Sequence, residues 1–222
     1  MIEPSKIIRT SRRTLSLTIS KDGELIVRAP RRLSLDYIFK FIQQKERWIE
    51  NKQRAVKESM SFNYNIINYN SFLVLGKAYD KKELNNIKKV ELTNNELVVP
   101  KTEERQKQLR IIERFYIKLA EKILFERMEY FASLMKLNYE SVKIVRSRSK
   151  WGSCDAKGNI KLNYKVIMLK PRVVDYIIIH ELSHLIEMNH SKEFYRVVET
   201  VMPDWREQRL QIKQQNFLLQ LF

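Results

Sequence analysis

The chain has 222 residues, 44% of them hydrophobic, and a formal net charge of +16. This length and apolar content suffice for a core in one large or two small domains, which excludes a disordered chain. The single cysteine, Cys154, excludes an intramolecular disulfide and a cysteine-rich metal cluster. The apolar stretches are short, and residues 1–13 lack a secretory signal pattern, so we predict a soluble cytoplasmic protein without a membrane partner.

The positive charge is spread along the chain in small basic clusters and forms no single block. Clustered Lys and Arg attract phosphates, so nucleic-acid binding is one hypothesis. The spread favours the simpler interpretation of a generally basic, solvated surface.

The chain begins with a predicted hairpin and helix. Apolar and polar residues alternate over 15–19, a turn signal follows over 21–24, and an apolar run over 25–28 completes a β-hairpin. From Ser34, a candidate N-cap, apolar residues recur at helical spacing to about residue 58. We expect this helix to pack on the hairpin.

The next segment predicts further β-structure. Residues 59–70 lack periodicity and predict a connection. Residues 72–79 predict a strand interrupted at Gly76, and residues 88–99 predict a hairpin that turns at Asn94–Asn95. The first hundred residues are therefore expected to be mainly β with one helix.

Pro100 and the polar residues after it mark the expected domain boundary. This predicts a β-rich subdomain over 1–102 and a second domain over 103–222. The second domain should begin with a long amphipathic helix from about 103 to 136.

Two strands and a buried helix are predicted next. Residues 142–146 and 159–163 predict strands around a turn at 155–158. Pro171 suits the first turn of the following helix. That helix is apolar almost all round, so it should be deeply buried.

All three histidines of the chain, His180, His184 and His190, lie in one short segment. On a helix, His180 and His184 leave the same face with Glu181 beside them. A catalytic zinc uses three protein ligands and keeps an open position for water. The spacing predicts one Zn²⁺ ion held by the three histidines, with Glu181 placed to take a proton from the water.

Burial and turn chemistry support the same site. A buried glutamate and two buried histidines are costly without partners, and a bound cation removes that cost. Asn189 can adopt a left-handed conformation that ends the helix and brings His190 back toward the ion. Ser191 can cap the next helix, which Pro203 separates from a final amphipathic segment.

Several motifs between residues 10 and 205 resemble those of the YgjP-like zinc metallopeptidases, a family distantly similar to SprT-like and WLM proteases. They are RSRSKWGSC at 146–154, GNI at 158–160, LN at 162–163, NHS at 189–191 with Phe194, and a hairpin ending in Ala29-Pro30 before a helix ending in Trp48-Ile49. The resemblance implies an α+β fold in which a β-rich N-terminal subdomain packs on a zincin-like catalytic domain. That domain would contain the HExxH active-site helix and a small sheet.

The resemblance implies His180, His184 and His190 as zinc ligands and Glu181 as the catalytic glutamate. Glu187 stands where the metzincin pattern HExxHxxGxxH has glycine, so the chain departs from the metzincins. The resemblance implies a domain related to the small gluzincins. In other gluzincins a carboxylate on the following helix is the third ligand, which leaves Glu193 or Glu199 as rivals of His190.

The remaining parts of the site have several candidates. The oxyanion that develops during amide hydrolysis needs a donor besides the ion, and the candidates are Tyr195, Tyr164 and Arg148. Each also has an ordinary structural interpretation. Zincins usually present an edge strand to an extended peptide, which here is either residues 160–163 or the segment Trp151, Gly152, Ser153 and Cys154. For the Cys154 side chain itself, a packing role is favoured over a redox or metal role.

The leading hypothesis is a zinc-dependent metallopeptidase in which water bound between zinc and Glu181 attacks a peptide carbonyl. The partner would be a peptide or protein substrate. The alternative is a nucleic-acid-associated protein whose basic surface directs proteolysis to DNA-bound proteins, or whose zinc is structural. A zinc hydrolase acting on small non-peptide amides is a third possibility. The glycines form no dinucleotide or phosphate loop, which disfavours a nucleotide-dependent enzyme.

Overall fold

The computed structural model describes residues 2–20 and 22–222, and the side chains of all of these except 58–65 and 67. It comprises two compact units, Met1–Asn65 and Ile66–Phe222. Strands and helices occur in both, so the predicted α+β class is confirmed. No helix in the described part of the chain is long and apolar enough to cross a membrane.

The first unit contains a three-stranded sheet of β1 (Lys6–Thr10), β2 (Ser16–Ile19) and β3 (Leu25–Pro30). The strands lie in the order β1-β3-β2. The antiparallel pair of β2 and β3 confirms the predicted hairpin. β1, which the sequence does not predict, pairs parallel with β3.

The predicted helix of the first unit is divided in two, α1 (Leu35–Gln44) and α2 (Glu46–Ile67). The Ser34 hydroxyl caps α1 by accepting a hydrogen bond from the Tyr37 amide, as predicted. The predicted connection over 59–70 is wrong up to Ile67, because α2 continues to that residue.

The core of the first unit follows both sequence periods. Leu25, Val27 and Ala29 face inward at alternate positions of β3, and Ile38 and Ile42 do so one helical turn apart on α1. Their shared cluster confirms that the helix packs on the hairpin.

The second unit begins with a four-stranded sheet of β4 (Ser71–Val74), β5 (Lys77–Leu84), β6 (Glu91–Leu92) and β7 (Glu96–Pro100) in the order β4-β5-β7-β6. The predicted strand over 72–79 is instead a hairpin, because Leu75 and Gly76 both have positive φ, 49° and 76°, and turn the chain. The predicted hairpin at Asn94–Asn95 is confirmed by the antiparallel pair of β6 and β7.

This sheet shares its core with the segment that carries the histidines. Phe72, Leu73 and Leu97 belong to the same apolar cluster as Ile177, and the Tyr116 hydroxyl donates to the Leu73 carbonyl at 2.8 Å. The division between the compact units accordingly lies before Ile66, whereas the sequence placed a boundary after residue 102. The division of the chain into the two domains 1–102 and 103–222 stays a prediction.

A second sheet of this unit has the order β8-β10-β9, formed by β8 (Ser141–Val145), β9 (Gly152–Cys154) and β10 (Asn159–Asn163). The strands predicted over 142–146 and 159–163 exist, but they pair in parallel and do not flank a common turn. The turn at 155–158 joins β10 to β9, which pairs with it antiparallel. β9 is therefore an edge strand.

The helices of this unit are α3 (Arg105–Met135), α4 (Pro171–Ser183), α5 (Lys192–Val201) and α6 (Trp205–Gln214), with 3-10 helices at Tyr164–Met168 and Asn216–Gln220. The predicted long helix is confirmed as α3, and Pro171 opens α4 as predicted. α4 packs against α3, α5, α6 and β9. Contact on all these sides explains why its apolar surface is continuous.

Candidate metal centre

Three imidazole rings converge where α4 ends. His180 lies in its last turn, His184 caps its C-terminus, and His190 follows in the loop before α5. One ring nitrogen of each lies within 4.8 Å of the others, and the Nε2 atoms of His180 and His190 are 3.0 Å apart. Tetrahedral ligands 2.0–2.1 Å from a zinc ion are separated by about 3.3–3.4 Å, so the cluster can hold one ion.

The surroundings of the rings favour ligation. His184 Nδ1 lies 3.3 Å from the Glu187 carbonyl oxygen, and donation there leaves Nε2 as the free lone pair. His180 Nδ1 is buried without a hydrogen-bond partner among the described residues. The Phe194 ring lies 4.7 to 4.8 Å from the centres of all three imidazoles. This apolar contact holds the rings together without competing for their nitrogens.

Burial also sets the charge of two rings. It lowers the pKa of His180 to about 3, and repulsion from the neighbouring His184 and His190 adds to the effect. Burial likewise lowers the pKa of His184. Both rings are therefore neutral at pH 7, which is the form that binds metals. The residues present fit the metal that the sequence predicts.

The turn that presents His190 differs from the predicted one. Asn189 is not among the described residues with positive φ. The amide of Glu187 instead donates to the Ser183 carbonyl at 3.0 Å, and the Glu187 carboxylate accepts from the Asn189 amide at 3.0 Å. These bonds turn the chain without a left-handed residue. The predicted cap at Ser191 is confirmed, since its hydroxyl accepts from the Phe194 amide at 3.2 Å.

The two rival carboxylates point to other partners. Glu193 forms an ion pair with Arg196 at 2.8 Å, and Glu199 forms one with Arg206 at 2.7 Å. Among the described residues, the metal-compatible cluster of ligand atoms contains only the three histidines.

Glu181 lies beside the cluster in a closely packed, apolar setting. The residue is 5% exposed, and burial raises the pKa of its carboxyl group to about 8, against a smaller lowering by Lys150. Gly152 of β9 lies directly against it. A Cβ atom at Gly152 would stand 2.5 Å from Glu181 Oε1 and 2.9 Å from its Cδ. Only glycine leaves room for this carboxylate.

A cavity of about 300 Å³ opens beside Glu181. Its walls include Trp151 and Gly152 from the edge-strand segment and Tyr176, His180 and Glu181 from α4. The Trp151 indole is fixed by donation from Nε1 to Asn216 Oδ1 at 2.9 Å. One cavity is thus bordered by the predicted glutamate Glu181, the predicted ligand His180 and part of the predicted edge strand.

The three predicted transition-state donors occupy different places. Tyr195 lies nearest the cluster, with its ring centre 6.3 Å from that of His190 and stacked on Trp205 at 4.3 Å. Tyr164 is 1% exposed in the core, and Arg148 is exposed with its carbonyl bound to the Gln220 amide. None of the three is among the described residues that line the cavity beside Glu181.

Of the two predicted substrate strands, only one has a free edge. Residues 160–163 lie in β10, which is paired with β8 on one side and β9 on the other. Gly152, Ser153 and Cys154 form β9, whose outer edge is unpaired among the described strands. Burial raises the pKa of the Cys154 thiol to about 11, so the group is protonated at neutral pH. It is not poised as a nucleophile.

Four polar residues that line the cavity, and two isoleucines, are not among the predicted site residues. Tyr176, whose pKa is raised to about 12 by burial, lies one turn before His180 on the same face of α4, and that spacing is readable from the sequence. Lys150, Arg209 and Lys213 also line the cavity. No local signal could assign the latter two, because they reach the site only through the packing of α6 on α4.

The family described as YgjP-like, metallopeptidase domain, matches residues 13–215. The chain belongs to this family. The YgjP-like resemblance expected from the sequence is therefore confirmed, and membership implies a metal-dependent peptidase acting on peptides or proteins. The predicted activity is confirmed at that level.

Two solved structures are similar to part of the chain. The metallopeptidase zymogen of Pyrococcus abyssi abylysin is 27% identical, with 42% of this chain and 94% of that chain covered at a TM-score of 0.39. The metallopeptidase zymogen of Methanocaldococcus jannaschii jannalysin is 21% identical, with 41% and 95% covered at a TM-score of 0.38. No curated protein sequence matches the chain.

Proposed function

We propose that the chain is a zinc-dependent peptidase in which Glu181 activates water for attack on a peptide carbonyl. The observation that carries this proposal is the convergence of three histidines beside a buried glutamate at one end of α4. Membership of a metallopeptidase family supports the reaction class.

The chain's own residues would divide the chemistry among them. His180, His184 and His190 would hold a zinc ion, which supplies Lewis-acid polarisation and lowers the pKa of water. Glu181 takes the proton of the attacking water and later delivers it to the leaving amine. Burial raises the pKa of this carboxyl group, which suits the return of the proton, and a bound zinc ion would favour the ionised form that accepts it.

The substrate would lie along β9. An extended peptide can pair with the free edge of Gly152–Cys154, and such pairing would place its carbonyl beside Glu181. Tyr195 is the predicted donor nearest the histidines and is proposed to stabilise the developing oxyanion.

Replacing His184 by Ala is expected to abolish both zinc binding and peptide hydrolysis, because a three-ligand site loses a buried ligand. Zinc stoichiometry by elemental analysis and hydrolysis of a mixed peptide library would be measured on the purified chain. Glu193→Ala is the control, since it removes a rival carboxylate that is exposed and ion-paired elsewhere. Retained hydrolysis in His184→Ala, or zinc loss in Glu193→Ala, would contradict the ligand assignment.

A basic groove supports a second candidate function, association with nucleic acid. A cavity of about 570 Å³ on α3 is lined by Lys88, Lys89, Arg114, Lys118 and Arg146, with Val90 and Phe115 among its apolar walls. Of these cations, Arg146 is ion-paired with Glu113 at 3.0 Å. The other four have no ion-pair partner among the described residues and can contact phosphates, with Glu121 the acidic residue of the lining. Such contacts would direct proteolysis to DNA-bound proteins.

Neutralisation of four phosphates by this groove predicts a fall in duplex affinity of about a hundredfold between 50 and 200 mM salt. Fluorescence anisotropy with labelled single-stranded and duplex DNA measures it. Lys118→Glu should weaken binding and reduce the salt dependence, whereas Lys122→Glu, an exposed change on the same helix outside the groove, should not. Absence of binding at low salt would exclude this function.

A further inference from the structure

The cavity beside Glu181 carries an excess of positive charge. Lys150, Arg209 and Lys213 line it, and Glu181 is the one acidic side chain that the described part of the chain contributes. Three cations face at most one anion, so the walls hold a net charge of at least +2. Arg209 and Lys213 are four residues apart on α6 and extend from the same face of that helix.

These cations are not neutralised by the protein. None of the three has an ion-pair partner among the described residues. Arg209 instead lies 5.3 Å from the ring centre of Tyr195, a contact that leaves its charge uncompensated. Cations gathered around one cavity repel each other, and an anion bound among them relieves that repulsion.

The other walls suit a short aliphatic stem that ends in an anion. Trp151 and Tyr176 are buried, and Ile177 and Ile212 add apolar surface. An apolar wall excludes water and strengthens nearby charge interactions. A glutamate or aspartate side chain combines the methylene stem and the carboxylate that such a cavity accommodates.

We propose that this cavity binds a carboxylate of the substrate, so that the enzyme prefers peptides with Glu or Asp next to the bond that is cut. The proposal rests on the proposed peptidase function, since it names the substrate class of the same site. Lys150, Arg209 and Lys213 are the residues that determine this specificity.

The preference is tested with quenched fluorescent peptides that place a single Glu, Gln or Lys at successive positions of one neutral host sequence. The peptides of one set carry an amidated C-terminus, and a second set of the same sequences has a free C-terminus. The zinc-loaded chain is expected to cleave the best Glu peptide with a kcat/KM about tenfold above that of its Gln counterpart, with Lys lowest. This ratio should fall as salt is raised.

Charge reversal tests the assigned residues. The double variant Arg209→Glu with Lys213→Glu should reverse the order, so that Lys peptides become the best substrates, and Arg209→Lys should keep the wild-type order. Lys122→Glu is the control, because it also replaces a lysine by glutamate, at an exposed site that does not line the cavity. An unchanged order in the double variant would overturn the assignment.

A binding measurement separates this proposal from the peptidase function. Anisotropy with the labelled Glu and Gln peptides on the Glu181→Gln variant reports affinity without turnover. Lack of cleavage of any peptide by the zinc-loaded wild type defeats the peptidase function, while tighter binding of Glu peptides still supports the cavity. Equal binding of Glu and Gln peptides overturns the cavity proposal whether or not they are cut. If the amidated Glu and Gln peptides bind equally and only peptides with a free C-terminus bind more tightly, the side-chain preference is overturned and the cavity binds the terminal carboxylate instead.

Discussion

Replacing Glu181 by Gln is expected to lower peptide hydrolysis by about a thousandfold or more while zinc stoichiometry stays unchanged. Gln has nearly the same shape and fits against Gly152, but its amide cannot accept the proton of the attacking water. A positioned general base contributes roughly 10²- to 10⁴-fold to a rate, and Glu181 is also proposed to return that proton to the leaving amine. The effect therefore falls on kcat.

The comparison is made on the zinc-loaded proteins with the peptide that the wild type cleaves best. Glu193→Gln is the matched control, because the same chemical change is made on an exposed residue of α5. It should retain wild-type kcat and KM. Full activity in Glu181→Gln would remove the glutamate from the mechanism, and joint loss of zinc and activity would indicate a structural role.

Replacing Gly152 by Ala is expected to cost about a hundredfold or more in activity, again with zinc retained. The new methyl group would stand 2.5 Å from Glu181 Oε1, closer than any relaxed contact, and the carboxylate has little room to move because the residue is 5% exposed. A displacement of about 1 Å in a catalytic group is sufficient for a loss of this size. Gly152 does not have a positive φ, so contact and not backbone strain is the cause.

Two further variants isolate that contact. Ser153→Ala changes the next residue of β9 without approaching Glu181 and should leave hydrolysis close to wild type. In the Glu181→Gln background, Gly152→Ala should reduce the residual rate little further, because both changes act through one carboxylate. If the loss of rate in the double variant equals the product of the two single losses, Gly152→Ala acts independently of Glu181, which would indicate damage to β9 itself.

The local elements that carry the site could be predicted from the sequence. Pro171 sets the start of α4, its apolar residues require burial on several sides, and the Ser191 hydroxyl caps α5. The spacing of His180 and His184 depends only on helix geometry. The turn before His190 was predicted with the wrong mechanism, because the Glu187 carboxylate bonds the Asn189 amide and no left-handed residue is needed.

Pairing between distant segments was harder to predict. The strands at 142–146 and 159–163 were recognised, but their parallel pairing depends on a crossover that no local pattern specifies. At Leu75–Gly76 the sequence predicts only an interruption of a strand and not a turn, because a leucine with positive φ gives no turn signal. Zinc as the ion and a cytoplasmic location stay predictions.

The sequence by itself determined that His180 and His184 share one face of a buried helix with Glu181 beside them, since side chains four apart on a helix must share a face. Only the tertiary structure decided what surrounds them. The packing of β9 brings Gly152 against Glu181, and the packing of α6 brings Arg209 and Lys213 to the same cavity. These residues are far apart in the chain, and their approach depends on the summed burial of a whole core, which no short motif encodes.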